Sequence, residues 1–435
     1  MTPPPLSRRG VLAGAALLGA TTTLGTAGAA QAAAAPAAGG KAPRKPVVFR
    51  NIRPFAAAEA VDLTVIDGIV AAGPAPKGAK VIDGGGRIAL PALVDAHIHP
   101  DKTSWGGSWV SRKPARTIAD FTEQDVELFK AQKRPVAERA YGLMAHAVTR
   151  GTRAMRAHAD VAPAFGLAGV EGIAEARERL ADALDVQIVA FPQHGVVRTP
   201  GTAKLLEDAA RAGLIDMVGG IDPISFDNAL DEQLDLVFDL ADKYDVGVDI
   251  HLHDRDERGT RVLRGIIDRT KALSLRGKVT VSHVFCLPYM SKGDLETMAA
   301  DLAAQDIALT TVAPGENTVL PIATLQKHGV RVGLGSDGVR DSWSPFGNAD
   351  MFHRAHILGQ ITDVRLDEEL TACYTVGANG SADVMGLPHV DFKPGSPADF
   401  VLLKGECVPQ IVVDLPQRDM VVHGGQVVAR AGELV

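Results

Sequence analysis

Eight short apolar runs, separated by stretches of helical composition, constrain the fold of this 435-residue chain more than any other feature. They cover residues 93–99, 153–161, 186–191, 217–221, 246–251, 279–284, 307–312 and 330–334. A short apolar run bounded by turn formers reads as a strand buried on both faces. Intervening segments such as 231–244 and 257–273 have the composition of a helix with one wet face. Strand and helix alternating eight times predict an α/β fold, the (β/α)8 TIM barrel.

The flanks read differently. Short strand-like runs broken by Gly and Pro, including Gly84-Gly85-Gly86, occupy 47–90, and a matching set at 400–403, 411–413 and 421–428 closes the chain. Both ends are therefore expected to build one small β-sandwich domain. The expected division is 47–90 for its first part, 91–388 for the barrel and 389–435 for its second part.

Ahead of these, Ser7-Arg8-Arg9-Gly10-Val11-Leu12 opens an apolar stretch that ends in Ala30-Gln31-Ala32. A basic start, an apolar middle and an A-x-A site form the pattern of a cleaved export signal, here resembling the twin-arginine type. Residues 1–32 are read as that signal and 33–46 as a linker. The expected location is periplasmic or extracellular, with no stable membrane insertion after processing. The twin-arginine route carries proteins that are already folded.

Composition removes other classes. A net charge of −7 offers no basic stripe for phosphates, so nucleic acid is not an expected partner. Cys286, Cys373 and Cys407 form no CxxC pair, which leaves neither a zinc knuckle nor a disulfide framework. Soluble oligomers are mostly symmetric homo-oligomers, so a homo-oligomer is the expected form of any assembly.

In such a barrel the chemistry sits at the carboxyl ends of the strands. The first run ends in His97-Ile98-His99, and residues two apart on a strand project to the same side. The fifth ends in His251-Leu252-His253-Asp254, the sixth in Ser282-His283, and the eighth in Gly335-Ser336-Asp337-Gly338. Two His from one strand, a third His and an Asp form a nitrogen and oxygen set suited to one divalent ion, Zn²⁺ or Fe²⁺, with a position left for water. Any one of these His alone is as well explained by core packing; the recurrence of His and Asp at four strand ends is not.

The stretch from Pro91 to His99 resembles the metal-binding first strand of the amidohydrolase superfamily. His99-Pro100-Asp101-Lys102, Arg156-Ala157-His158-Ala159-Asp160, Phe191-Pro192-Gln193, Gly220-Ile221-Asp222-Pro223, the HxHD at His251 and the segment from Gly335 to Asn348 are most similar to one branch. That branch holds bacterial cytosine deaminase and N-isopropylammelide isopropylaminohydrolase. The resemblance implies that His97, His99, His251 and Asp337 bind one divalent metal, and that His283 bonds its water or the substrate. It also implies substrate contacts for Gln193, Lys102 and Asp222. No Lys lies in the third or fourth run, where dinuclear relatives place a bridging one, so a mononuclear site is implied. Two departures stand out. Asp254 replaces a cytosine deaminase Glu, and Gly338 stands where that enzyme carries a carboxylate that helps read its base.

The expected chemistry is hydrolysis of a non-peptide C–N bond in a small pyrimidine- or triazine-like N-heterocycle, by deamination or dealkylamination. A water on the ion has its pKa lowered from 15.7 towards about 7, which supplies hydroxide for attack on a ring carbon. Asp337 is the candidate base, His253 the candidate proton donor with Asp254 as rival, and His283 the group that steadies the tetrahedral centre. Lys102 is expected to meet a ring carbonyl, and Gln193 and Asp222 a urea-like edge. His158 and Asp160 are expected to pair inside the barrel, and His328, His353, His356, His389 and His423 to be structural or exposed. Two rivals share the fold: opening of a cyclic amide or deacylation of an N-acyl compound, and an exported protein that binds a heterocycle or a metal without turnover.

Overall fold

The computed structural model describes residues 44–315 and 318–435. The 1–32 leader and nearly all of the 33–46 linker lie outside the described residues.

Eight parallel strands form one sheet in chain order: Leu93–Ile98, Thr152–Asp160, Asp185–Phe191, Met217–Ile221, Gly247–Leu252, Val279–His283, Ala308–Thr311 and Val332–Leu334. Each apolar run of the sequence is one of these strands. A parallel bridge between Ile98 and Asp337 joins the first to the eighth, where the Asp337 amide donates to the His97 carbonyl at 2.8 Å. Gly335 makes that approach possible, because a Cβ there would stand 2.6 Å from the His97 oxygen. Parallel strands need crossovers, and helices such as Leu230–Tyr244 and Glu257–Ala272 supply them, burying Leu234, Val237 and Phe238 or Val262, Leu263 and Ile266.

The two chain ends share a nine-stranded sheet. Its centre is strand Val47–Pro54, which pairs with Val61–Ile66 and Lys80–Asp83 through its first half and with Ile88–Pro91 through its last residues. Ile88–Pro91 in turn pairs with Phe400–Leu403 from the far end of the chain. Phe49 and Phe400 meet edge to face at 4.9 Å in a core that also holds Ile52, Leu402 and Val422.

One expected strand is absent. Residues 411–413 belong to the helix Val408–Asp414, whose first turn contains Pro409. Proline is tolerated there because that N–H has no helical partner, so the β-branched run Ile411-Val412-Val413 continues a helix that buries Ile411 and Val412. Among the described residues no helix is long and apolar enough to cross a membrane.

Candidate active site

Four strand ends deliver their side chains to one point. The Oδ1 atom of Asp337 lies 3.4 Å from Nε2 of His99 and 3.7 Å from Nε2 of His97, and Nε2 of His251 lies 3.5 Å from that of His99. Ligands about 2.1 Å from a tetrahedral ion stand about 3.4 Å apart, so these separations match such a centre before any ion is placed. His97 Nε2, His99 Nδ1, His251 Nδ1 and His283 Nδ1 are buried without a hydrogen-bond partner. A buried nitrogen left unpaired is costly unless something accepts its lone pair or its proton.

The protonation states suit ligation. Burial, and then Lys102, push His99 down to about 3. Burial likewise lowers His97, His251 and His283, so neutral rings are favoured. Enclosure works against the Asp337 carboxylate, but the hydrogen bond from His99 and the facing His283 and His97 outweigh it and hold the group well below the usual carboxylate range. Neutral imidazoles and an ionised carboxylate are the forms that bind a metal.

The backbone is strained at the same place. Asp222, His283 and Asp337, at the ends of the fourth, sixth and eighth strands, have φ of 32°, 71° and 60°. Such conformations cost about 1–3 kcal/mol each for non-glycine residues and persist where the surroundings over-determine them, typically at sites of function.

The cluster opens into a cavity of about 510 Å³ lined by His99, Lys102, Gln193, His251, His253, His283 and Asp337. His253 reaches it with a fixed ring. Asp222 accepts from the His253 amide at 2.6 Å and pairs with Nδ1 at 2.8 Å, which leaves Nε2 as the exchangeable position. Burial disfavours the His253 cation, but Asp222, then Asp337 and Asp254, overcome it and raise the pKa above the ordinary value.

Lys102 is not a free donor. Its ammonium lies 3.3 Å from both Asp160 oxygens and 4.0 Å from Asp125, and it donates to Oε1 of Gln193. Burial opposes its charge, yet Asp160, Asp125, Asp101 and Asp341 together raise its pKa. With Oε1 engaged, the amide NH₂ of Gln193 is the end of that side chain left to donate.

Four expectations are corrected. Asp222 was expected at a substrate edge; it lies behind His253 with both oxygens occupied, and it does not line the cavity. Asp254, the rival shuttle, also lies off the cavity, buried with Arg258 3.7 Å away. His158 does not pair with Asp160, which Lys102 holds. Its ring is fully buried against His97 at 4.0 Å, with neither nitrogen hydrogen-bonded. His353, expected to be structural or exposed, lines the cavity.

Gly338 has a steric reason. A Cβ there would stand 2.4 Å from Oδ2 of Asp341, whose carboxylate fills the space a side chain at 338 would take. Burial first, and then Asp125 and Asp337, push Asp341 up to about 7.

The comparisons with known proteins bear on this geometry. The profile of the Amidohydrolase family matches residues 80–429, a span that takes in the barrel and all the residues of the cluster. The chain belongs to the amidohydrolase family. Among curated amidohydrolases it is 30% identical over 360 residues to N-isopropylammelide isopropyl amidohydrolase of Pseudomonas sp. (strain ADP), covering 80% of this chain and 88% of that one. It is 26% identical over 400 residues to pterin deaminase of Rhizobium rhizogenes, covering 85% and 88%. The crystal structure of N-isopropylammelide isopropylaminohydrolase from Burkholderia multivorans superposes with a TM-score of 0.85 at 34% identity, over 90% of this chain and 100% of that one. Amidohydrolases typically depend on a metal, and the donor set described above fits one.

Proposed function

We propose that this amidohydrolase hydrolyses an exocyclic C–N bond of a small N-heterocycle and releases ammonia or an amine, with one divalent ion held by His97, His99, His251 and Asp337. The observation that carries the reading is the convergence of His97, His99, His251 and the ionised Asp337, with facing atoms 3.4, 3.5 and 3.7 Å apart and Nε2 of His97 buried without a partner, beside the cavity. Zn²⁺ and Fe²⁺ both suit such a donor set. When bound, the ion supplies Lewis-acid activation of water, lowering its pKa from 15.7 towards about 7.

The chain's own groups divide the remaining work. Asp337, ionised beside the metal position, takes the proton of the attacking water. His253, oriented by Asp222, gives a proton from Nε2 to the departing nitrogen. His283 donates to the oxygen that gains charge as the ring carbon becomes tetrahedral. The NH₂ of Gln193, whose Oε1 is held by Lys102, presents a donor to a ring carbonyl or an unprotonated ring nitrogen. A site built to pair such an edge rejects rings that lack it.

Dealkylamination is favoured over simple deamination by the far wall. Val312, Pro314, Phe346, Ile357 and Ile361 line the cavity beyond the seventh and eighth strands. A cavity of about 510 Å³ is larger than a single six-membered ring fills. A substituent on the leaving nitrogen would lie along these apolar residues. The twin-arginine-type leader adds export of the folded, metal-loaded protein to the reading.

Metal removal tests it. The purified chain should carry one equivalent of divalent ion; stripping by a chelator should abolish amine release, and one equivalent of Zn²⁺ or Fe²⁺ should restore it. Full turnover by the stripped protein would refute the reading.

A further inference from the structure

His97 is held from behind by a line of buried polar groups that runs away from the cavity. Its Nδ1 lies 3.0 Å from Oγ of Ser282, and Ser282 donates to Oδ1 of Asp249 at 2.7 Å. The single hydroxyl proton of Ser282 is thus committed to a carboxylate that can only accept, so Ser282 must accept from His97, and the His97 proton resides on Nδ1. Nε2 is left with its lone pair toward His99 and Asp337.

Asp249 is fixed in turn. Its Oδ2 accepts from Arg156 at 3.0 Å, and the guanidinium also donates to Thr280 Oγ1 at 2.8 Å, to Gln187 Oε1 at 3.0 and 3.1 Å, and to the Val384 carbonyl at 3.1 Å. His97, Ser282 and Asp249 have no exposed surface, and Arg156 almost none. The same line explains why His97, His158 and Asp249, although close enough to share an ion, do not make a second metal site. Both Asp249 oxygens are already satisfied, and the Arg156 cation would repel an ion placed there.

We propose that Ser282 is a positioning residue of the metal centre, which locks His97 in the Nδ1–H tautomer and aims Nε2 at the ion, with Asp249 and Arg156 anchoring Ser282. This rests on the ligand set of the proposed function. The signal was present in the sequence: Asp249 stands two residues before His251 and Ser282 next to His283, so strand alternation turns Asp249 inward with His251. Partners that orient a ligating imidazole typically change metal affinity 10–100-fold when removed.

Ser282→Ala is the test, because it deletes one oxygen and leaves the buried Asp249–Arg156 pair intact. Removing either member of that pair would strand a charge. Zn²⁺ affinity of the full chain, by competition with a chromophoric chelator, should fall 10–100-fold. In metal-free protein labelled with ¹⁵N-histidine, the wild-type His97 ring should carry its proton on Nδ1, whereas Ser282→Ala should show mixed tautomers. Ser282→Thr, which restores the hydroxyl, should recover both. Unchanged affinity and an unchanged tautomer in Ser282→Ala would overturn the positioning role. Wild-type protein that binds no Zn²⁺ would instead overturn the ligand set beneath it.

Discussion

Replacing Asp337 with Asn should leave a folded protein that has lost roughly 10³-fold or more in turnover, since lost general base catalysis alone typically costs 10²–10⁴-fold. The substitution is nearly isosteric, and the backbone at 337 sits at φ 60°, a region that Asn tolerates better than most residues. The amide that closes the barrel onto the His97 carbonyl is untouched. What changes is the oxygen that stands 3.4 and 3.7 Å from two imidazoles. An amide oxygen binds a divalent ion more weakly than a carboxylate and cannot take a proton from water. Kinetics at saturating metal, with circular dichroism as the control for folding, would check this. Wild-type turnover in the variant would remove Asp337 from the reaction.

His253→Asn should lower kcat by about 10²–10⁴-fold while one equivalent of metal stays bound, because the loss falls on proton transfer and not on ligation. The Asn side chain can still donate to Asp222, whose buried carboxylate otherwise loses its partner. His253→Ala lacks that replacement, so it should show the same kinetic defect plus a drop of about 3–5 kcal/mol in stability, the usual consequence of leaving a buried charge unpaired. Metal analysis beside kinetics separates the cases. Loss of stoichiometric metal in His253→Asn would make His253 a ligand.

Much of the fold could be read from residue pattern because a parallel barrel buries both faces of each strand, so each strand appears as a mainly apolar run, broken by buried polar residues such as Arg156 and Asp249. The proposed ligands stood out for a related reason. A His or Asp that ends such a run has little else to do, and the i, i+2 rule places His97 with His99 and His251 with His253. What pattern could not supply was the third dimension around each carboxylate. Asp222 and Asp254 both follow apolar runs, yet neither faces the cavity, since Asp222 clamps His253 and Asp254 lies by Arg258. Asp160 was paired with His158 from strand spacing alone, whereas Lys102, from a loop 58 residues away, captures it. Residues 411–413 show the remaining ambiguity, because a short β-branched run fits strand and helix alike until Pro409 marks a helix start.

The central claim is tested most directly by incubating the chain, loaded with one equivalent of Zn²⁺ or Fe²⁺, in H₂¹⁸O with a panel of substrates. The panel would hold cytosine, isocytosine, ammelide, N-alkylammelides, hydantoins and N-acyl amino acids, with products read by mass spectrometry. The account predicts loss of an amine from a ring, with one ¹⁸O placed on the ring carbon it left and N-alkylammelides turned over in preference to unsubstituted rings. Ring opening of a hydantoin, or deacylation with the heterocycles untouched, would contradict it.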